Sequence, residues 1–456
     1  MSVRATATAS DAAAPLASAA ESDAPVTETA VVKPHFDGRA PSGRTPFVAT
    51  ELTAEHLERN ASLVSRLRGQ VILAPLTKGN NLPFRRLCAD FGAAVTTSEM
   101  GFARHLIRGD GREKALLRRA PNEALFGVQI ATNQISEGIK AGLMAAEAGA
   151  DWVDLNCGCP IYEATRRGLG SALLRKPQKL ARLVAGIAAE LPVPLTVKIR
   201  TSAASEAGIN LDEMVAALAG SGAAAVTVHG RTAMQRYKKP ADWSAVERVA
   251  REHGIPVIGN GDIGTHYEAA RRLRDHGCLA VMVGRGALIK PWIFREAAEG
   301  RPYEPTAEER VGIYRRLVGY MREHFGADDI GKNKAFYFLP WHLGFLARYR
   351  PLPEAAYGAL SLVQPLISTR WESVAQAELG ESLGALDPLE RLLRCEADSA
   401  HGVVAEALWE AGSDEEAVAA LRALAAARLG GWEAEVAAGG GDDRDGNRDS
   451  NRESEG

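Results

Sequence analysis

Short apolar runs alternate with amphipathic segments of helix length along the middle of the chain. Eight runs have the length and composition of buried strands, and they lie at residues 71–74, 94–98, 125–130, 152–156, 195–200, 224–229, 257–260 and 279–284. The segments between them repeat their apolar residues with helical spacing, as residues 135–148 and 179–190 do. Eight β/α repeats within about 230 residues are typical of a TIM barrel, so the pattern predicts an α/β protein built on a (β/α)8 barrel.

An open, doubly wound parallel sheet is the alternative that the same alternation allows. Such sheets usually have fewer strands and a glycine-rich turn after the first strand, where a dinucleotide binds. In this chain the first run is followed by Pro75, Leu76 and Thr77, with no G-x-G-x-x-G pattern. The barrel is therefore the favoured fold.

Composition divides the rest of the chain into further segments. Residues 1–45 are rich in Ala, Ser, Thr and Pro without a hydrophobic period, which predicts a disordered leader. The barrel is expected over residues 62–300, a small all-helical domain over residues 305–376 and additional helices over residues 377–435. Residues 436–456 are rich in Gly, Asp, Arg, Ser and Asn and are expected to form a disordered tail.

The net charge of −3 is unevenly distributed along the chain. Residues 61–350 contain 41 Lys and Arg against 28 Asp and Glu, a balance of +13, which leaves −16 for the two ends together. A basic body between acidic ends suits a polyanionic partner, although a solvated surface of mixed charge has the same composition.

The five cysteines are few and scattered, which favours a reducing compartment over a disulfide-stabilised fold. Cys157 and Cys159 have no matching Cys/His pair elsewhere, so no metal site is expected. No apolar stretch is long enough to span a bilayer, so we expect no membrane partner. The leader has only Arg4 as a basic residue before Lys33, unlike Arg-rich transit peptides, so we expect a cytoplasmic or nuclear protein rather than an organellar one.

The carboxyl ends of the predicted strands carry most of the residues suited to chemistry, and TIM barrels build their active sites at that face. These residues are Pro75, Leu76, Thr77, Glu99, Gln129, Asn156, Cys159, Lys198, Arg200, His229, Asn260, Gly261, Asp262, Gly284 and Arg285. The loops after strands seven and eight are glycine-rich, and such barrels commonly bind a phosphate there through backbone N–H groups. A phosphate pocket beside a lysine, a histidine and a thiol fits flavin mononucleotide (FMN), whose reduced ring is anionic along one edge.

Lys198 lies within a predicted strand and shares one face of it with Arg200. A charge inside a barrel needs a partner, because burial of an unpaired charge is costly. Lys198 therefore either faces an anionic ligand or takes part in a structural ion pair.

Cys159 precedes Pro160 in a turn after the fourth predicted strand. A free thiol has a pKa near ~8.5, so it stays mostly protonated at neutral pH and can donate a proton. This favours a general acid over a nucleophile unless Arg166 or Arg167 lowers the pKa of the thiol. A small buried hydrophobic residue is the structural alternative for this cysteine.

Six ordered motifs resemble those of the tRNA-dihydrouridine synthase family. They are LAPLTKGNNLPFRRLCADFGA (73–93), DWVDLNCGCPIYEATRRGLGSALL (151–174), VPLTVKIR (193–200), VTVHGRT (226–232), VIGNGDI (257–263) and VMVGRGAL (281–288). The first two are most similar to the eukaryotic-type branch that acts at position 47, in the tRNA variable loop. Animal and fungal members of that branch carry N-terminal CCCH zinc fingers, whereas residues 1–87 contain no cysteine and hence no such finger.

The resemblance implies an FMN-binding barrel, a helical tRNA-binding domain and the NADPH-driven reduction of uridine to 5,6-dihydrouridine. It implies that Cys159 protonates uracil C5 while a hydride from flavin N5 goes to C6. The implied flavin contacts are Pro75, Leu76, Thr77 and Gln129 at the ring system, Lys198 at N1 and O2, Asn156 beside flavin and target base, and His229, Asn260, Gly261, Asp262, Gly284 and Arg285 at the phosphate. The implied RNA contacts are Arg166, Arg167, Arg200, Arg231, Arg236, Lys238 and Lys239, with Arg348 and Arg350 as further candidates.

Two other functions remain open on the sequence. One is an FMN-dependent dehydrogenase of a small pyrimidine-like molecule, and the other is an RNA-binding protein without catalysis. The basic helical segment favours an RNA substrate, because a small molecule does not require it, and Cys159 and Lys198 favour catalysis. We expect a monomer with tRNA as its partner, and the sequence does not decide whether mRNA is also a substrate or whether NADPH is preferred to NADH.

Overall fold

Within the residues that the structure describes, nine parallel strands form the sheet, and eight of them close into a barrel. The structure is a computed structural model that describes residues 52–202, 211–235, 239–367 and 383–438. The strands are β1 Val71–Leu73, β2 Val95–Thr97, β3 Gly101–Phe102, β4 Leu125–Ala131, β5 Trp152–Cys157, β6 Leu195–Arg200, β7 Ala225–His229, β8 Val257–Asn260 and β9 Ala280–Val283. Their order is β2-β1-β9-β8-β7-β6-β5-β4, and β4 pairs back onto β2. The predicted TIM barrel and its eight strands are confirmed, and the two-residue β3, which pairs with the end of β4, was not predicted.

Helices surround the barrel and continue beyond it. Those of the barrel are α1 Ala54–Leu67, α2 Leu82–Asp90, α3 Ala103–Ile107, α4 Gly111–Ala115, α5 Ile135–Glu147, α6 Tyr162–Thr165, α7 Pro177–Ala188, α8 Leu211–Ala219, α9 Trp243–Glu252, α10 His266–Asp275, α11 Arg285–Ile289 and α12 Ile293–Glu299. Those that follow are α13 Ala307–Phe325, α14 Asp329–Phe336, α15 Leu339–Leu346, α16 Glu354–Tyr357, α17 Leu360–Val363, α18 Pro388–Leu393, α19 Asp398–Glu410 and α20 Asp414–Ala438. Two 3-10 helices, Gly170–Arg175 and Leu383–Ala385, complete the described elements. The leader predicted over residues 1–45 and nearly all of the predicted tail lie outside the described residues.

Apolar side chains fill the amino-terminal end of the barrel. Trp152 of β5 lies beside Gly127 of β4, where a Cβ atom would be 2.2 Å from the indole, so only glycine leaves room for this ring. Helix α1 packs against this end through Leu63 and Leu67, which share a buried cluster with Ile72 and Trp152. Because this end is filled, the open end for a ligand is the carboxyl end of the strands.

The helices after the barrel form an all-helical part that is continuous with the barrel's outer core. Helix α13 begins with a capping box between Thr306 and Glu309. Tyr314 of α13, Trp409 of α19 and Leu421 of α20 belong to one buried apolar cluster with residues on the outside of the barrel. The sequence left the packing of the last helices open, and the structure places them against α13 and α15. No helix in the described segments is long and apolar enough to cross a membrane.

A buried ion pair joins α2 to the segment before β4. The Arg85 Nε atom donates to Glu123 Oε1 at 2.8 Å, and the two side chains are 1% and 0% exposed. Glu123 also accepts hydrogen bonds from the Thr96 hydroxyl at 2.6 Å and from the Ala120 N–H at 2.6 Å. The carboxylate is thus held by three donors, of which only Arg85 brings a positive charge.

Replacing Arg85 with Met is expected to lower the free energy of unfolding by about 3–5 kcal/mol, because Glu123 would stay buried without its cation. The matched control is Arg86→Met, whose guanidinium pairs with Glu323 at the surface, where such a pair is worth about 0–1 kcal/mol. Urea unfolding of both variants measures the two losses. Equal losses would contradict the special cost of the buried pair.

Candidate active site

A layer of hydrogen-bonded polar side chains lies inside the barrel above the apolar end. Asp154 of β5 stands between Gln129 of β4 and Thr196 of β6 in the strand register. Its carboxylate accepts from Gln129 Nε2 at 2.7 Å and from Thr196 Oγ1 at 2.6 Å. Burial raises the pKa of Asp154, while these two hydrogen bonds and the charge of Lys198 oppose the shift. Asp154 was not among the predicted site residues, although it shares the inward face of β5 with Trp152 and Asn156.

The same layer positions Cys159. Asn156 donates from Nδ2 to Gln129 Oε1 at 2.8 Å, which turns its Oδ1 atom toward the following loop. Oδ1 accepts from the Cys159 N–H at 3.0 Å and from the Gly158 N–H at 3.3 Å. The carbonyl of Cys159 accepts from the Ser171 N–H at 2.9 Å. Cys159 is therefore fixed through both of its peptide groups at the carboxyl end of β5, with a half-buried side chain.

Lys198 lies one strand away, in β6, paired in register with Asn156. Its ammonium donates to Asn260 Oδ1 at 3.0 Å, and Asn260 is oriented by donating from Nδ2 to the Met282 carbonyl at 2.8 Å. Burial and the charge of Arg200 lower the pKa of Lys198 to about 8, although Asp154 opposes the shift. Within the described residues no carboxylate forms a salt bridge with Lys198, so the structural ion pair considered above is not found.

A second cluster occupies the loops after β7, β8 and β9. Asp262 accepts from Arg231 through Oδ2 at 2.6 Å and from Arg285 through Oδ1 at 2.7 Å. Asp262 has a left-handed backbone, with φ of 49°, and follows Gly261, with φ of 133°. Burial, together with the cations around it, lowers the pKa of His229 well below its ordinary value, so this imidazole is neutral.

This cluster corrects two expectations. Arg231 was expected to contact RNA, but its side chain is 1% exposed and bound to Asp262. Asp262 was expected to hold a phosphate, but its buried carboxylate is occupied by the two arginines and by the Ala241 N–H, and a carboxylate repels phosphate. Its side chain instead orients Arg231 and Arg285.

The remaining predicted residues differ in exposure. Arg200 was also expected to contact RNA, but its side chain is buried and donates to the Thr232 carbonyl at 2.9 Å. Arg166 and Arg167 are exposed on the turn that follows α6, and both pair with Glu163 of that helix. The other positions are Thr77 and Lys239, which are exposed, Pro75, Leu76, Gly284, Arg348 and Arg350, which are half-buried, and Arg236 and Lys238, which lie outside the described residues.

The side chains at this end of the barrel fit FMN. The hydroxyl of Thr97, on the inward face of β2, is buried and has no hydrogen-bond partner within the described residues, so an interior ligand with a polar edge can satisfy it. Lys198 supplies a positive charge suited to an anionic ring edge. The loops after β8 and β9 are packed so closely that a Cβ atom on Gly286 would lie 2.2 Å from the Ile263 carbonyl oxygen. The expected contact of Gly284 and Arg285 with the phosphate of FMN stays a prediction.

Comparison with known proteins identifies similar chains. A family model described as dihydrouridine synthase (Dus) matches residues 72–345. A tRNA-dihydrouridine(47) synthase of Coprinopsis cinerea, named for NAD(P)(+), is 40% identical over 300 residues, covering 62% of this chain and 44% of that protein. The corresponding "-like" proteins are 42% identical over 289 residues in Homo sapiens, covering 63% and 44%, and 38% identical over 325 residues in Oryza sativa subsp. japonica, covering 69% and 46%. The chain thus spans less than half the length of each of these relatives.

Gly170 packs against the backbone of Cys159, and a Cβ atom there would lie 2.4 Å from the Cys159 carbonyl oxygen. Gly170→Ala is therefore expected to displace Cys159. The rate of Cys159 alkylation, and the rate of catalytic turnover, should fall by about tenfold or more. Gly149→Ala is the matched control, because Gly149 also has a positive φ, of 91°, but nothing within 4 Å of the added atom. Rates of Cys159 alkylation, read by mass spectrometry, compare the two, and similar rates in both variants would contradict the prediction.

Lys198 is expected to destabilise the fold at neutral pH, because its pKa is about 8 in the folded protein and 10.5 ordinarily. Between these values the unfolded chain binds more protons, so the free energy of unfolding rises with pH. Lys198→Met removes this rise, so the stability difference between variant and parent should change by up to about 3 kcal/mol from pH ~7 to pH ~10. Urea unfolding across this range measures it, and a difference independent of pH would contradict the assignment.

Proposed function

The chain belongs to the dihydrouridine synthase family, and from this premise we propose that it reduces uridine to 5,6-dihydrouridine in tRNA, at position 47. The names of the similar proteins support both the reaction and the position. We propose FMN as the bound cofactor and NADPH as the reductant. The net reaction is uridine plus NADPH and a proton giving dihydrouridine and NADP+.

Cys159 carries this proposal, because it is a thiol fixed at the mouth of a barrel whose interior suits a flavin. FMN, when bound and reduced, supplies a hydride for C6 of the uracil. Cys159 gives its thiol proton to C5, so that the C5=C6 double bond becomes a single bond, and it regains a proton from solvent. Asn156 holds the Cys159 peptide in place through the 3.0 Å hydrogen bond.

Two charged groups support the binding of the cofactor. Lys198 keeps a positive charge below a pH of about 8 and would stand at the anionic edge of the ring system. Arg285 would contact the phosphate, and its 2.7 Å ion pair with Asp262 fixes the direction of the guanidinium. Gln129 and Asn156 provide amide groups at the ring and the target base.

A tRNA substrate agrees with the position of the site at the mouth of the barrel. A uracil inside folded RNA must leave its stack to reach a barrel mouth. Arg166, Arg167 and Lys239 are exposed cations on loops at this face. Binding through phosphate contacts would weaken steeply as salt is raised. Arg231 and Arg200 are set aside as direct contacts because both are buried.

Cys159→Ala is expected to lower dihydrouridine formation by at least about 100-fold, as for loss of a general acid, while FMN and tRNA still bind. Cys157→Ala is the matched control, because Cys157 is a buried thiol in the outer core, two residues before Cys159, and should keep most of the activity. The measurement is NADPH oxidation by the FMN-loaded protein with unmodified tRNA, followed by mapping of dihydrouridine at position 47.

Three results would count against the proposal. Full activity in Cys159→Ala would rule out Cys159 as the general acid. A protein that binds FMN but never turns over with tRNA would favour the dehydrogenase of a small pyrimidine-like molecule. A protein that binds tRNA and takes up no FMN would favour RNA binding without catalysis.

A further inference from the structure

Two residues other than glycine have a left-handed backbone in the described part of the chain, and both lie at the carboxyl end of the barrel. Asp262 is held by the two arginines described above. The other is Lys78, with φ of 66°, in the loop between β1 and α2. A side chain with a Cβ atom is strained in this conformation, so the surrounding contacts must hold Lys78 in it.

One contact that holds the Lys78 backbone is made by Glu99, which follows β2. The Glu99 Oε2 atom accepts a hydrogen bond from the Lys78 N–H at 2.7 Å. This is a short distance for an N–H donor and is typical of a bond to a carboxylate. Burial raises the pKa of Glu99 to about 7, while the hydrogen bond from Lys78 opposes the shift. Burying this carboxylate therefore costs folding free energy.

The rest of the loop joins the barrel to the helical part. The Asn80 amide donates to the Ala74 carbonyl at 2.9 Å and to the Thr97 carbonyl, which ties the loop to β1 and β2. On the other side, a Cβ atom on Gly79 would lie 2.7 Å from the Trp341 ring of α15. The Lys78 ammonium lies 4.2 Å from the centre of the Tyr337 ring, between α14 and α15.

We propose that Glu99 is a positioning residue that holds the loop of residues 76–80 in the one conformation that serves both the barrel mouth and the helical domain. The inference rests on the proposed function, because Pro75, Leu76 and Thr77 at the start of this loop are the candidate flavin contacts. In this role Glu99 acts through the backbone of Lys78, from whose N–H it accepts a hydrogen bond. The same peptide thus links the shape of the cofactor site to the position of Trp341 and Tyr337.

The test compares Glu99→Ala, Glu99→Gln, Lys78→Gly and the double variant Glu99→Ala/Lys78→Gly in the full chain. Glu99→Ala should weaken FMN affinity, measured by quenching of flavin fluorescence, by about tenfold, the effect of one lost hydrogen bond to a charged group. Glu99→Gln should stay within about threefold of the parent, because its amide oxygen still accepts from the Lys78 N–H. The double variant should recover most of the loss, because glycine adopts a φ of about 66° without strain.

Lys78→Gly alone removes the cation over Tyr337, so it shows how much of the KM for tRNA depends on that contact rather than on Glu99. Glu99→Ala should raise this KM more than it lowers kcat, since it moves a binding loop and leaves Cys159 in place. If the double variant binds FMN no better than Glu99→Ala, or if Glu99→Gln loses as much affinity as Glu99→Ala, the proposal is overturned.

Tryptic cleavage after Lys78 provides a readout that needs neither FMN nor tRNA. Glu99→Ala should speed this cleavage by about tenfold over the parent, and Glu99→Gln should leave it nearly unchanged. An unchanged rate in Glu99→Ala would refute the positioning role even if the parent protein proved to be an active synthase. A faster rate in a protein that binds no FMN would uphold the loop's dependence on Glu99 while the proposed function failed.

Discussion

The buried carboxylate of Asp154 sets the direction of the hydrogen bonds inside the barrel. Because a carboxylate only accepts, Gln129 must turn its NH2 group toward Asp154 and its oxygen away. That oxygen then accepts from the NH2 group of Asn156, which leaves the Asn156 oxygen for the Cys159 N–H. The orientation of each amide follows from the one before it, so the position of the thiol depends on a charge that lies deeper in the barrel.

Asp154 also explains why the positive charge of Lys198 remains available to a ligand. Both carboxylate oxygens of Asp154 are engaged by neutral donors, Gln129 and Thr196. The carboxylate therefore attracts the ammonium from a distance without forming a salt bridge with it. Asn260 supplies the close contact, and a neutral amide leaves the net charge of the lysine unchanged. A barrel interior arranged in this way is costly in stability and is suited to an anionic ligand.

The sequence predicted the barrel well because each strand is a short apolar run bounded by turns, and such runs keep their identity in most environments. It also placed Cys159, Lys198 and Asn260 at one end, because the ends of parallel strands meet. The sequence did not predict the exposure of charged residues whose ion-pair partners come from distant parts of the chain. Arg231 looks like a surface cation on a basic loop, and only the fold brings Asp262 against it. Helix α1 was not predicted for a similar reason. Its buried residues Leu63 and Leu67 become part of a core only because the folded barrel places its amino-terminal end against them.

The distribution of charge shows the same dependence on partners. The basic body of the chain suggested that the helical part offers its cations to RNA. In the structure several of them face the acidic last helices instead: Lys332 binds Glu406 and Glu410 at 2.6 Å each, and Arg315 pairs with Asp414. A cation already paired with a carboxylate attracts a phosphate less, because the negative charge beside it offsets its positive charge. For the tRNA substrate proposed above, the attraction is therefore expected from cations at the barrel mouth without a close carboxylate among the described residues, for which exposed Lys239 is the candidate, rather than from the paired cations of the helical part.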